Sequence, residues 1–151
     1  MQYLTAVGIT VGLLAGLWVY ISGFMGIAGF AGFLGWATYF AVGQGKDGCA
    51  KAVASNLSGV FWGVITVYLM GLLPQGQWYL LAIILAAAIM CWQANIPLLS
   101  FIPGTFIGNA CFYANNNDWL TTAVGMLCGV LLGLVSDYSA RSLSKPQQTE
   151  E

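Results

Sequence analysis

The sequence predicts an all-α integral membrane protein with six transmembrane helices, arranged as two inverted three-helix repeats. Three observations predict it: charge is nearly absent, the apolar residues fall into six runs, and motifs of the first half recur in the second. Only 6% of the 151 residues are charged and 59% are hydrophobic, whereas a soluble domain carries about 25% charged residues to face water. The charges sit at Lys46, Asp47, Lys51, Asp118, Asp137, Arg141, Lys145, Glu150 and Glu151, and there is no histidine. Met1 to Gly45 holds no ionisable side chain other than tyrosine. With no basic lead and an overlong apolar run, it does not read as a cleaved signal.

A span needs about 20 apolar residues, with roughly 17 as the lower limit. Segment one is Leu4–Phe24 and segment two is Gly26–Val42, followed by the polar loop GQGKDG. Segment three is Ala52–Leu72, closed by LPQGQ, and segment four is Trp78–Asn95, with Pro97 after it. Segment five is Leu98–Ala114, ended by NNND, and segment six is Trp119–Ser136. A single transmembrane domain is expected over residues 1–138, with repeats at about 1–73 and 74–138, and a disordered cytoplasmic tail over 139–151.

Lys and Arg collect in cytoplasmic loops. Six spans with a cytoplasmic N-terminus put Lys46, Lys51, Arg141 and Lys145 on the inner side together. Treating segments two and five as re-entrant separates them, so six spans is the better reading. Trp18, Tyr20, Trp78, Tyr79, Phe112, Tyr113 and Trp119 fall near the outer interface, and Trp92 and Tyr138 near the inner one, where amphipathic rings prefer to sit. Trp62 falls mid-segment, as a packing or pore-lining residue.

The repeat is visible by aligning FLGWATYFA (Phe33–Ala41) with FIGNACFYA (Phe106–Ala114), an offset of 73. The match resumes at an offset of 70, with LSGVFWGV (Leu57–Val64) over LCGVLLGL (Leu127–Leu134). Three spans per repeat make the second half inverted, a plan that recurs in transporters and places the substrate path at the repeat interface.

Helical spacing puts Ser55, Gly59, Gly63 and Thr66 on one face of segment three, with Asn56 beside them, and Gly125, Gly129, Gly133 and Ser136 on one face of segment six. Small residues every four positions let helices approach closely in lipid, so Gly59, Gly63, Gly129 and Gly133 read as packing positions. Leading into and along segment two, glycine recurs at Gly23, Gly26, Gly29, Gly32 and Gly35. A period of three drifts around a helix, so either the segment is wrapped by several neighbours or part of it is bent or non-helical. Pro103-Gly104 invites a break in segment five. Irregular backbone at membrane depth is tolerated where it is buried in protein or lines a watery cavity.

No Asp, Glu, Lys, Arg or His falls deep in a span, which disfavours proton coupling and ion-pair recognition. The inward groups are neutral: Thr38, Asn56, Ser58, Thr66, Gln93, Thr105 and Asn109, with Trp36 and Trp62. Amides, hydroxyls and indole N–H groups replace water around a small uncharged polar solute. No acid–base pair or Ser/His/Asp set is available for an enzyme, and no basic surface for nucleic acid. Cys49, Cys91, Cys111 and Cys128 form no CxxC pair, so neither a metal site nor a cofactor is expected.

At GFLGWATYFAVGQGKDG, NLSGVFWG and FIPGTFIGNACFYA, with DW four residues later, the sequence resembles the YcdZ-like family of bacterial inner-membrane proteins (DUF1097, a domain of unknown function). The resemblance covers all but about the last ten residues. It implies a multi-pass protein of the bacterial inner membrane and names no substrate. The three-plus-three plan is similar to that of aquaporins, without their paired Asn-Pro-Ala motifs.

The expected function is therefore a passive channel or facilitator for a small neutral polar solute, urea-like or a short alcohol, amide or aldehyde. Its path would be lined by Trp36, Thr38, Asn56, Trp62, Thr66, Thr105 and Asn109. The alternative is a non-transporting structural or accessory subunit of an inner-membrane complex. Homo-oligomerisation is expected in either case.

Overall fold

The computed structural model describes residues 2–74 and 76–144. Among these the chain forms six α-helices and two 3-10 turns. The helices are α1 (Tyr3–Met25), α2 (Gly29–Val42), α3 (Gly45–Leu72), α4 (Tyr79–Trp92), α5 (Ile102–Ala114) and α6 (Trp119–Leu143). Helices α1, α3 and α6, of 23, 28 and 25 residues, are long and apolar enough to cross a bilayer. Helices α2, α4 and α5 have 14, 14 and 13 residues, so each rises only about 20 Å, less than the ~30 Å hydrocarbon core. The 3-10 turns Gln93–Asn95 and Pro97–Leu99 fill the gap between α4 and α5.

The boundaries have local causes. Gly26 ends α1 in the left-handed conformation (φ 65°), and the Ile27 N–H returns to the Ser22 carbonyl at 3.0 Å. Segment two therefore begins as a turn and becomes helical only at Gly29. Its first residues are thus non-helical, and its helical part is wrapped: Gly29 faces the Ser22 hydroxyl, Gly32 the Trp18 ring and Gly35 the Met126 backbone. Pro103 stands just past a break in segment five, which passes from the 3-10 turn ending at Leu99 to α5 beginning at Ile102. It occupies the first turn of α5, where its missing N–H would have had no partner anyway. Helix α3 starts at Gly45, so Lys46 to Lys51 are helical and not a loop. Helix α6 continues to Leu143, through the first residues of the expected tail; 145–151 lie outside the described residues. Asp118 caps α6, accepting from the Leu120 and Thr121 amides at 3.0 and 3.2 Å.

Helix α2 packs chiefly on α6 and α5 chiefly on α3; α1 joins α6, α4 joins α3, and α3 and α6 meet each other. Glycine makes these approaches possible. Gly35 lies on the Met126 carbonyl and Gly108 on the Asn56 carbonyl; Gly59 lies on the Thr105 carbonyl and Gly129 on the Gly32 carbonyl; Gly63 faces the Phe112 ring and Gly133 the Tyr39 ring. The sequence offsets of 73 and 70 carry each first contact of these pairs onto the second. A β-carbon at any of the six would collide with its neighbour. Tyr39 and Phe112, at 0% and 2% exposure, are the largest side chains wholly removed from the surface.

Two aromatic placements differ from expectation. Trp18 is buried and donates to the Gly29 carbonyl at 2.9 Å, and Phe112 is core, so neither belongs to an interfacial belt. A ring able to satisfy its N–H inside the protein, or lacking a polar tip altogether, gains nothing from the interface. Tyr20, Trp78, Tyr79, Trp92, Trp119 and Tyr138 are exposed.

Candidate functional site

A network of neutral polar groups lies where α3, the turn after α4 and α5 meet. The 3-10 turn at Gln93–Asn95 aims the Gln93 side chain between the two helices. Its Oε1 accepts from the Ser58 hydroxyl at 2.7 Å and the Trp62 Nε1–H at 3.0 Å, and its Nε2 donates to the Thr105 hydroxyl at 3.0 Å. An indole N–H only donates, so Trp62 fixes which end of the amide faces α3.

One turn before Ser58, polar groups go unanswered. Both polar side-chain atoms of Asn56 and the Ser55 hydroxyl are buried without any hydrogen-bond partner among the described residues, at 1% and 0% residue exposure. Buried polar groups are nearly always paired, and an unpaired one costs about 1–3 kcal/mol. Ser55 converges with Thr38 on Gly104: a β-carbon there would stand 3.0 Å from Ser55 Cβ and 3.2 Å from Thr38 Cγ2. The Thr38 hydroxyl is itself turned back to the Leu34 carbonyl at 2.9 Å.

Further along α3, Thr66 and Asn109 share a cavity of about 260 Å³, otherwise walled mainly by Met70, Ile83, Met90 and Phe106. Thr66 donates to the Trp62 carbonyl at 2.7 Å, and Asn109 Nδ2 to the Gly59 carbonyl at 3.3 Å. Trp36 stands apart, against α6, donating to the Ser136 hydroxyl at 3.1 Å. The seven positions singled out in the sequence are thus distributed. Trp62 and Thr105 meet through Gln93, Thr66 and Asn109 share a cavity, Thr38 and Asn56 flank the Ser55–Gly104 contact zone, and Trp36 faces elsewhere. Gln93, which ties the network together, was legible only as one neutral interior group among several.

A second cluster escaped the sequence reading. Asp137, inside α6, is 1% exposed. It accepts from the Tyr3 hydroxyl at 2.6 Å, the Tyr39 hydroxyl at 2.9 Å and Arg141 Nε at 2.9 Å. Arg141 also donates to Gln44 Oε1 at 2.7 Å, and the Gly45 N–H donates to Tyr39 Oη at 2.9 Å. One carboxylate therefore ties α1, α2, the α2–α3 turn and α6 together. The i,i+4 spacing of Asp137 and Arg141 was a signal; the two tyrosines come from far along the chain.

Long apolar helices, close glycine-mediated crossings and a scarcity of charge define the class: a helical membrane protein. Within that class, the family described as "Protein of unknown function (DUF1097)" matches residues 8–141, and the chain belongs to it. It is 38% identical to the inner membrane protein YcdZ of Escherichia coli K12, over all of this chain and 97% of that one. It is 36% identical to the YcdZ inner membrane protein of Salmonella typhimurium LT2, over 98% and 94%. It is 34% identical to the uncharacterized protein YahC of Escherichia coli K12, over 96% and 95%. No solved structure matches.

Proposed function

We propose that the chain is a passive channel or facilitator of the bacterial inner membrane, passing a small neutral polar solute such as a urea-like compound, a short alcohol, an amide or an aldehyde. In this reading all six helices belong to two inverted repeats with both termini cytoplasmic, the protein assembles with copies of itself, and it catalyses no reaction. The paired glycine contacts support the repeat, and the names of the YcdZ relatives support the membrane.

The observation that carries the reading is the Asn56 amide with Ser55 beside it, three buried polar atoms without a partner. Such groups persist against their energetic cost where something uses them. An amide and a hydroxyl offer both donor and acceptor capacity to a neutral solute and carry no charge themselves. Gln93, Thr105 and Trp62 continue the polar lining, and Thr66 and Asn109 add a cavity beyond it.

Stopped-flow light scattering on proteoliposomes, with urea, glycerol, acetamide and water against empty vesicles, tests this. Accelerated entry of one solute, abolished by Asn56→Leu or Trp62→Ala in a folded protein, supports the channel. Unchanged flux in folded Asn56→Leu protein would refute the assigned lining. A second reading, a non-transporting accessory subunit, draws on the glycine contacts, which bring backbones together too closely for a path between those helices as they stand. No acceleration for any solute, together with co-purification of one other protein, favours that reading.

A further inference from the structure

The contact between α3 and α6 is flanked by two apolar grooves. One, of about 490 Å³, is lined by Leu57, Phe61, Trp119, Leu120, Ala123 and Val124 among others. The other, of about 460 Å³, is lined by Lys46, Cys49, Ala50, Val53, Leu98 and Leu134 among others. The offset of 70 carries Cys49, Ala50 and Val53 onto Trp119, Leu120 and Ala123, so the two grooves use corresponding positions.

They differ at one end. The second groove includes exposed Lys46, in the first turn of α3; its counterpart at that offset is Asn116, which carries no charge. An ammonium at a helix N-terminus is unfavourably placed against the helix dipole. Lys46 has no ion-pair partner among the described residues, where Arg141–Asp137 is the single ion pair. Asp47, the next residue, is turned about 100° around the helix and does not line the groove.

We infer that the Lys46 groove is a binding site for an anionic phospholipid: an acyl chain lies along Ala50, Val53, Leu98 and Leu134, and the headgroup phosphate meets the Lys46 ammonium. The lining supplies apolar contact along its length and one cation at its end, which is the charge pattern of a phospholipid with net negative charge. Basic pockets between membrane helices recognise anionic headgroups in this way. The corresponding groove, lacking the cation, takes acyl chains without regard to headgroup. This inference is independent of whether the protein conducts a solute.

Native mass spectrometry of the full chain in mild detergent tests it, with equal amounts of phosphatidylglycerol and phosphatidylcholine bearing the same acyl chains. One phosphatidylglycerol per protomer should be retained about fivefold over phosphatidylcholine, the factor that one basic residue at the surface contributes. Lys46→Gln should abolish the preference while lipid still binds. Ala50→Trp, which fills the exposed end of this groove, should abolish the preferred lipid, and Ala123→Trp in the other groove should leave the preference intact. Equal retention of the two lipids, a preference that survives Lys46→Gln, or loss on Ala123→Trp in a folded protein overturns the inference.

Discussion

Substituting Gly59 by alanine puts two known effects in opposition at one atom. In an exposed helix, Gly→Ala stabilises by roughly 0.5–1 kcal/mol, because glycine loses more backbone freedom on folding. At Gly59 the new methyl lands on the Thr105 carbonyl oxygen, with the Asn109 backbone nitrogen close behind. Overpacking costs about 1–3 kcal/mol, and a helix backbone yields less readily than a side chain, so the upper half of that range applies. The expected net is a destabilisation of about 1–2 kcal/mol. Gly129→Ala, whose methyl meets the Gly32 carbonyl, should cost about the same. Gly12→Ala and Gly71→Ala meet nothing within 4 Å and should stabilise by up to about 1 kcal/mol. Unfolding in mixed micelles, followed by circular dichroism against denaturant mole fraction, reads all four on one scale. If Gly59→Ala proves as stable as Gly12→Ala, the crossings do not depend on backbone approach and the packing argument is wrong.

Other perturbations separate the remaining interactions. Asn56→Met installs the residue found at the corresponding position, Met126; removing an unpaired buried amide should raise stability by about 1–3 kcal/mol while eliminating solute entry in the liposome assay. Asp137→Asn strips the charge that Tyr3, Tyr39 and Arg141 all address. It should destabilise by about 1–3 kcal/mol, measured in the same micelles, and stability equal to the parent would remove the cluster's assigned role. Gln93→Leu leaves the Trp62 N–H and two hydroxyls without their partner, and should lower the melting temperature and shift Trp62 fluorescence. The Thr121 hydroxyl and amide, with the Leu120 amide, hold the Asp118 carboxyl below the usual carboxylate range. With its folded value depressed, the cap stabilises fully above the unfolded pKa near 4 and loses this as pH falls through the folded value. A thermal-shift series from pH 6 to pH 2 should show that acid loss, and Asp118→Ala should abolish its dependence on this group.

How far the sequence reaches is clearest at particular residues. Six apolar runs correspond to six helices because hydropathy and helix formation coincide wherever the chain is apolar. They part company at the polar ends: Lys46 to Lys51 and the turn around Arg141 are helical, and hydropathy reports transfer to lipid, not helicity. Gly35, Gly108, Gly59 and Gly129 were visible as small residues at repeated positions. Their partners were not, since Met126, Asn56, Thr105 and Gly32 meet them across distances that no local period encodes. Asp137 falls outside the expected spans, just past the end of segment six, and nothing in its neighbourhood announces Tyr3 or Tyr39. Trp18 was placed at an interface because a tryptophan near a span end usually sits there; the Gly29 carbonyl that satisfies it is offered only once α1 has turned back into α2.

The pairing of α2 with α6 also has a consequence for biosynthesis. Helix α2 leaves the ribosome early, but the surface that covers Gly32 and Gly35 belongs in part to α6, which is made much later. At about 5–20 residues per second, α2 waits several seconds with a notched, glycine-lined side facing lipid or the insertion machinery. Helix α5 meets no such delay, because α3 is already in place when it emerges. Assembly of the first-made half therefore finishes only once α6 has been made. A ribosome stalled before Trp119 should hold a nascent chain whose α2 is open to protease or to cysteine labelling, while α3 and α5 are already closed upon each other.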